Sequence, residues 1–229
     1  MKRTTETLAR IPLFRSLAAD EVARLDTQCV WRRAKEKETI LDHKDEGSDV
    51  YFITHGEVRV VIRPVSGRAS VFRTICDGEY FGELAAIDRR PRSASIVAVT
   101  DAVIAKMPPR VLRETVHRHS DVCDQLLASL VAEIRSLANR VNEFSVLDAP
   151  TRIRSELLRL ARRSGGSEEA VISPPPTHAE LAARVSAGRE AVTRELNRLK
   201  RAGLLETRRG AIVLLDARKL ALSVEKAME

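Results

Sequence analysis

Between residues 30 and 107 the apolar positions fall into short β-branched and aromatic runs, at 39–41, 50–53, 58–62, 71–75, 94–99 and 102–105. Gly47, Gly56, Pro64, Gly67 and Gly78 separate these runs. Many short runs with regular turn residues predict a β-sandwich or barrel. Ahead of them, residues 8–25 read as short helices, with Asp20 placed to start one at Glu21. After Pro108-Pro109 the period changes. Residues 110–116 predict a short helix, and a long one follows from Asp121. Its apolar residues Leu127, Leu130, Ile134, Leu137, Val141 and Phe144 alternate three and four apart, and Cys123 extends the series one step earlier. That is the a/d stripe of a coiled coil. A helix packed only on its own domain carries a wider apolar face, so the narrow stripe predicts a partner helix.

Leu147-Asp148-Ala149-Pro150 breaks the pattern. Proline does not continue a helix comfortably, and the residue before it is biased away from α. This predicts a domain boundary and hinge, with a new amphipathic helix over 151–163. Ser164-Gly165-Gly166-Ser167 and Ser173-Pro174-Pro175-Pro176 read as surface connections around the short apolar segment Ala170-Val171-Ile172. Thr177-His178-Ala179-Glu180 forms a capping box, Thr177 at the N-cap and Glu180 three residues on. The spacing predicts a helix over 179–185, a tight turn at Ser186-Ala187-Gly188, and a second helix over 189–202 ended by Gly203. Two short helices around a small turn make a helix-turn-helix. Residues 204–207 and 211–215 then read as a hairpin, the wing of a winged form.

Composition narrows the function classes. The chain has 229 residues, 44% of them hydrophobic, enough for two domains. No apolar run approaches the ~20 residues needed to span a bilayer, and the first ten residues are polar, so the expectation is a cytoplasmic protein without a membrane partner. Cys29, Cys76 and Cys123 are far apart, a pattern of isolated thiols and not of a disulfide framework or metal site. His117 and His119 read as surface residues before the long helix. Lys35-Glu36-Lys37-Glu38 reads as an exposed connection. From Thr151 onward there are 16 Lys and Arg against 10 Asp and Glu, so six of the seven excess positive charges lie in the last third. A polyanion partner fits there, as does a solvated basic face.

The chemistry concentrates at Phe81-Gly82-Glu83-Leu84-Ala85 and Pro91-Arg92-Ser93-Ala94. Gly82 lets the backbone approach a ligand with no Cβ in the way, and the following N–H groups can point at an anion. Arg92 offers a planar fork suited to phosphate and Ser93 a hydroxyl donor. Glu83 needs a different partner, and a ribose hydroxyl fits. Farther on, Arg189-Glu190 opens the second helix of the pair, with Arg194 a turn later. Arginine pairs with guanine, a carboxylate accepts from cytosine N4, and residues at the start of such a helix reach base edges. An i,i+4 ion pair between Glu190 and Arg194 is the competing reading. No nucleophile-base pair, Walker loop or metal motif is present, so an enzyme is not expected, and no metal cofactor either.

The first of these segments resembles the phosphate-binding cassette of cyclic-nucleotide-binding domains. The resemblance implies that Gly82, Leu84 and Ala85 line the phosphate pocket, Glu83 takes the ribose 2′-hydroxyl, and Arg92 and Ser93 take the cyclic phosphate. The second, Arg189-Glu190-Ala191-Val192-Thr193-Arg194, is similar to the recognition helix on the CRP side of the CRP/FNR family of bacterial transcription regulators. Together the two imply an α+β architecture: a jelly-roll β-roll sensor over 1–117, a dimerisation helix over 118–147, and a winged helix-turn-helix over 148–229. They imply a parallel homodimer gated by cyclic AMP or cyclic GMP, reading a TGTGA-like palindrome and contacting RNA polymerase. Arg189, Glu190 and Arg194 would read bases, with Thr177, Arg198, Lys200, Arg201, Arg208 and Arg209 on the DNA as well, the basic ones at phosphates. The long-helix positions that meet the base in the family are Leu137 and Ala138, which carry no hydrogen-bonding side chain. Cyclic AMP and cyclic GMP therefore both remain open. Gly188, where the family often has a capping serine, is a smaller departure. A redox, iron–sulfur or haem sensor on the same scaffold, a ligand-independent regulator, and a cyclic-nucleotide regulatory subunit of an enzyme or channel are the competing functions.

Overall fold

The computed structural model describes residues 6–62, 70–162, 169–208 and 210–228, with the side chains of 70–72 and 162 left out. The turn expected at Pro64 and Gly67, the connection at 164–167 and Arg209 lie outside the described residues. The chain divides into two compact units, Met1–Ala132 and Glu133–Glu229, with the division inside the long helix.

The first unit opens with two short 3-10 turns, Leu8–Arg10 and Pro12–Phe14, and helix α1 (Ala19–Gln28). Helix α1 starts ahead of the expected position, with Ala18 at its N-cap and no side-chain cap. Strands β1 (Val30–Ala34), β2 (Thr39–Leu41), β3 (Val50–His55), β4 (Val58–Ile62), β5 (Ser70–Ile75) and β6 (Tyr80–Phe81) follow. Then come helix α2 (Glu83–Asp88), β7 (Ser95–Ala98), β8 (Ala102–Met107) and helix α3 (Pro109–Arg118). The strands pair antiparallel in two four-stranded sheets, β1-β8-β3-β6 and β2-β7-β4-β5. Strands β1 and β6 were not singled out in the sequence: Trp31-Arg32-Arg33 breaks the apolar pattern, and β6 is only two residues long.

Strand β3 explains why its run reads as continuously apolar. Successive side chains point to opposite faces. Tyr51 and Ile53 enter the core between the sheets, with Ile40, Val58, Ile75, Phe81, Ile96 and Ile104. Val50 and Phe52 enter a second core, with Met107 at the end of β8 and Phe14, Leu25, Leu112, Val122 and Leu126 from the surrounding helical segments. A strand buried on both faces has no polar alternation to show. Strand β3 matters to the cassette because it pairs with β6, on which the cassette begins, and carries Tyr51 beside it. His119, just before the long helix, faces Glu21 of α1 at 3.1 Å.

Helix α4 runs Ser120–Val146. Val122 and Leu126 bury in the helical core of the first unit and Leu130 packs against it. Leu127, Val131, Ile134, Leu137, Val141 and Phe144 are exposed, Ile134 and Val141 by about two thirds (64% and 66%). The apolar stripe thus begins at Leu127 and takes Val131 in place of Leu130.

The second unit holds the end of α4, helix α5 (Ala149–Arg162), strand β9 (Ala170–Ile172), helices α6 (His178–Arg184) and α7 (Arg189–Arg201), strands β10 (Leu205–Arg208) and β11 (Ala211–Leu214), and helix α8 (Ala217–Glu225). Pro150 lies in the first turn of α5 and does not precede it, contrary to the expected start at 151. Proline is tolerated there because no intrahelical partner awaits its missing N–H, and the Asp148 carboxylate accepts the Thr151 N–H at 2.9 Å. The short apolar segment 170–172, between the two expected surface connections, is a strand. It pairs with β11 and completes a three-stranded sheet, β10-β11-β9. Ile153, Leu157, Ile172, Leu181, Val192, Leu196, Leu199, Leu214 and Leu220 form the core of this unit. No helix among the described residues is long and apolar enough to cross a membrane.

Candidate functional site

The cassette is built where β6 ends. Gly82 takes the left-handed conformation, φ 87°, and sits at the N-cap of α2 with no side chain capping that first turn. A Cβ at this position would lie 2.7 Å from Arg92 Nη1 and 2.8 Å from the Asp49 carbonyl oxygen. Only glycine satisfies both the φ and the space. Arg92 is 6% exposed. Its Nη1 donates to the Gly82 carbonyl at 3.2 Å and its Nη2 to the Asp49 carbonyl at 2.9 Å. The guanidinium stands 5.7 Å from the centre of the Tyr51 ring, which stacks on Phe81. Burial raises the Tyr51 pKa above its ordinary value.

Charge is left unbalanced at this point. Arg92 Nε is buried without a hydrogen-bond partner, and among the described residues no carboxylate pairs with the guanidinium. The nearby Asp49 carboxylate instead meets Lys106 at 3.1 Å. A buried cation held by neutral carbonyls alone leaves most of its desolvation cost uncompensated. An anion with several oxygens would complete it. Gly82, Glu83, Ala85 and Arg92 are gathered around this turn, with Ala85 buried, Leu84 half exposed and Ser93 exposed. Leu137 and Ala138 lie on the part of α4 that belongs to the second unit. Asp49 and Tyr51 were missed in the sequence. Tyr51 looks like any core residue of a strand, and Asp49 acts through its carbonyl, which no sequence motif records. Among the described residues no group of three or more His, Cys, Asp or Glu is placed to hold a metal.

Tyr80, immediately before the cassette, hydrogen-bonds through its hydroxyl to Ser129 of α4. Burial raises its pKa, and the Ser129 bond works against that rise. The cassette strand and the first turns of α4 are thus joined within the first unit.

In the second unit the Thr177 hydroxyl accepts the Glu180 N–H at 3.2 Å and the Glu180 carboxylate accepts the Thr177 N–H at 2.8 Å, the full capping box. Ser186 takes a left-handed φ of 47° in the turn, and Gly188 caps α7 without a side-chain bond and with open space around it. Val192, Leu196 and Leu199 hold α7 to the core. Its other face presents Arg189, Glu190, Thr193, Arg194, Asn197 and Arg198 to solvent. The Glu190–Arg194 ion pair does not form. Arg198 is already engaged, donating to Glu195 at 2.8 and 3.0 Å, and the Glu195 bond holds its pKa up. Arg208, on the wing, pairs with Glu169 at 2.9 Å. The turn itself is clamped from beneath. Buried Glu156 of α5 pairs with Arg184 at 3.1 Å and with Arg159, and Arg159 reaches Glu143 of α4 at 2.8 Å. Arg152 donates to the Val185 carbonyl at 3.0 Å.

Comparison with known proteins assigns both halves. The cyclic nucleotide-binding domain family matches residues 31–119 and the Crp-like helix-turn-helix domain family matches residues 151–222. A CRP-like cAMP-activated global transcriptional regulator of Mycobacterium tuberculosis is 27% identical over 218 residues, covering 94% of this chain and 97% of that protein. A cyclic AMP receptor protein of Thermus thermophilus is 28% identical over 206 residues, 90% of this chain and 93% of the other. Among solved structures, a CRP-family transcriptional regulator, also from Thermus thermophilus, superposes with a TM-score of 0.68 at 27% identity, covering 86% of this chain and 98% of that one. With a cyclic-nucleotide-binding domain, a Crp-like helix-turn-helix and relatives matched over nearly their whole length, the chain belongs to the CRP/FNR family of DNA-binding transcription regulators.

Proposed function

We propose that this protein is a homodimeric regulator whose DNA affinity is gated by a cyclic nucleotide held at the Gly82–Arg92 turn. The observation that carries this reading is the buried Arg92 guanidinium, which lies against Gly82 with no carboxylate to balance it among the described residues. In the bound state the cyclic phosphate takes that charge, Ser93 adds a hydroxyl donor, and Glu83 accepts from the ribose 2′-hydroxyl. The exposed stripe from Leu127 to Phe144 supports a parallel symmetric dimer along α4. Two copies of α7 then enter successive major grooves about one helical turn apart. Arg189, Glu190 and Arg194 read a TGTGA-like half-site, and Thr177, Arg198 and Arg208 lie along the backbone. RNA polymerase is the expected further partner. The relatives named as cAMP-activated favour cyclic AMP. Leu137 and Ala138 carry no polar side chain, and this favours weak discrimination, with cyclic GMP as the second effector.

Calorimetric titration of the full chain with cyclic AMP and cyclic GMP, with and without a palindromic TGTGA duplex, tests the reading. Nucleotide binding that tightens the duplex complex supports it. Duplex binding with no heat from either nucleotide rejects the gating and moves the search to another signal.

A further inference from the structure

The structure assigns His178 a proton-linked phosphate contact, so that DNA binding carries a pH dependence separate from the cyclic nucleotide. This rests on the reading that α7 enters the major groove. His178 is the first residue of α6 and is exposed. Its Nδ1 lies 2.9 Å from Thr193 Oγ1 on α7. The same hydroxyl donates to the Arg189 carbonyl at 3.0 Å. A threonine hydroxyl has one hydrogen. Both bonds are therefore made together only when His178 Nδ1 carries a proton and donates it to Thr193.

That arrangement decides the chemistry of the other nitrogen. In the neutral ring with Nδ1 protonated, Nε2 is a lone-pair acceptor, which does not bind a phosphate oxygen. Nε2 becomes a donor only in the imidazolium, which keeps the Thr193 bond as well. Nε2 has no partner among the described residues. The ring stands at the start of α6, held to the recognition helix beside Arg189, where the DNA backbone flanks the groove that α7 enters. Nε2–H then makes a charge-assisted bond to phosphate.

The protein's own charges around the ring do not supply the negative partner. On its own helix, the Glu180 carboxylate is held by the Thr177 N–H. On α7 the exposed charges near Thr193 are Arg189, Glu190 and Arg194. Helix α5 meets the far end of α6, through Glu156–Arg184 and Arg152–Val185. The phosphate supplies the negative charge, and one proton is taken up as the contact forms.

The test measures affinity of the full-length protein for its duplex at fixed salt between about pH 8 and about pH 6, comparing wild type, His178→Ala and His178→Arg. Wild-type affinity is expected to rise roughly 3–10-fold more than that of His178→Ala over this span. His178→Arg, always charged, is expected to bind at the upper pH about as well as wild type does at the lower, and to lack the extra dependence. Calorimetry near neutral pH in two buffers of different ionisation enthalpy should show proton uptake in wild type and less in His178→Ala. The same pH dependence and proton uptake in wild type and His178→Ala would overturn the assignment while leaving the recognition helix in place. A wild type that prefers no duplex sequence at any pH would overturn the recognition-helix reading and this contact with it.

Discussion

Arg92 and Gly82 fit together as a lock: the Arg92 Nη1 donates to the Gly82 carbonyl at 3.2 Å, and any Cβ on Gly82 would stand 2.7 Å from that nitrogen. Gly82→Ala therefore adds backbone strain at φ 87° and pushes the guanidinium off its seat. The expected result is at least tenfold weaker cyclic-nucleotide binding with a stability loss on the order of 1–3 kcal/mol. Arg92→Ala removes two hydrogen bonds to part-buried carbonyls, at a cost of about 1–3 kcal/mol, and removes the phosphate partner. Calorimetry and a denaturant titration on both variants check this. Nucleotide affinity within twofold of wild type in either would reject the cassette as the binding site.

The stripe on α4 makes a separate prediction. Ile134 and Val141 are each about two thirds exposed (64% and 66%) on the apolar stripe of α4. If they meet a second copy, Ile134→Asp or Val141→Asp buries an unpaired carboxylate at the seam. The dimer should weaken by roughly 100-fold or more, visible as a monomer in light scattering at micromolar concentration. A monomer should also lose most of its duplex affinity, because a palindrome is read by two helices. An unchanged dimer would place the seam elsewhere.

Much of this was legible in the sequence because local signals and tertiary demand agree. The run 50–53, the capping box at Thr177 and the helical period of α4 each state their local structure in residue types and spacing alone. What was not legible depends on partners distant in sequence. Strand β9 is three residues whose pairing is decided by β11. Pro150 reads as a breaker, yet it fits the first turn of α5 because Asp148 caps that turn. Arg92 was picked out as a phosphate ligand, but its burial and its bonds to the Gly82 and Asp49 carbonyls need the folded chain. Glu156 looks like any helix carboxylate until Arg184 and Arg159 close on it.

Asp148 gives the unit a pH-dependent component. The Thr151 side chain and N–H bond the carboxylate and hold its pKa below the ordinary value. A depressed folded-state pKa means that this contribution is complete above the unfolded value of about 3.9 and is lost as pH falls through the lower, folded one. Asp148→Ala should cost about 1 kcal/mol near neutral pH, as loss of an N-cap does, and should flatten the acid limb of the stability curve. Asp148→Asn keeps the acceptor without the titration, so it should retain most of the neutral-pH stability and also lose that limb. Chemical denaturation between about pH 7 and about pH 3 separates the two.

Arg189 and Arg208 allow specificity to be separated from general affinity. Arg189 is exposed at the first position of α7 with no ion-pair partner among the described residues, so its guanidinium meets DNA without breaking an internal bond. Arg189→Ala should cost about 1–3 kcal/mol on the cognate duplex and relax preference at one guanine. Arg208 is tied to Glu169 at 2.9 Å and also meets Glu206, and must exchange these partners for phosphate. Surface pairs of this kind are worth little, about 0–1 kcal/mol. Arg208→Ala should therefore lower affinity for cognate and unrelated duplexes alike and reduce the salt slope by about one. Binding measured on a set of single-base-substituted duplexes at several salt concentrations distinguishes the two effects. An unchanged base preference in Arg189→Ala would remove that residue from the reading surface, and loss of preference in Arg208→Ala would move the wing from positioning into recognition.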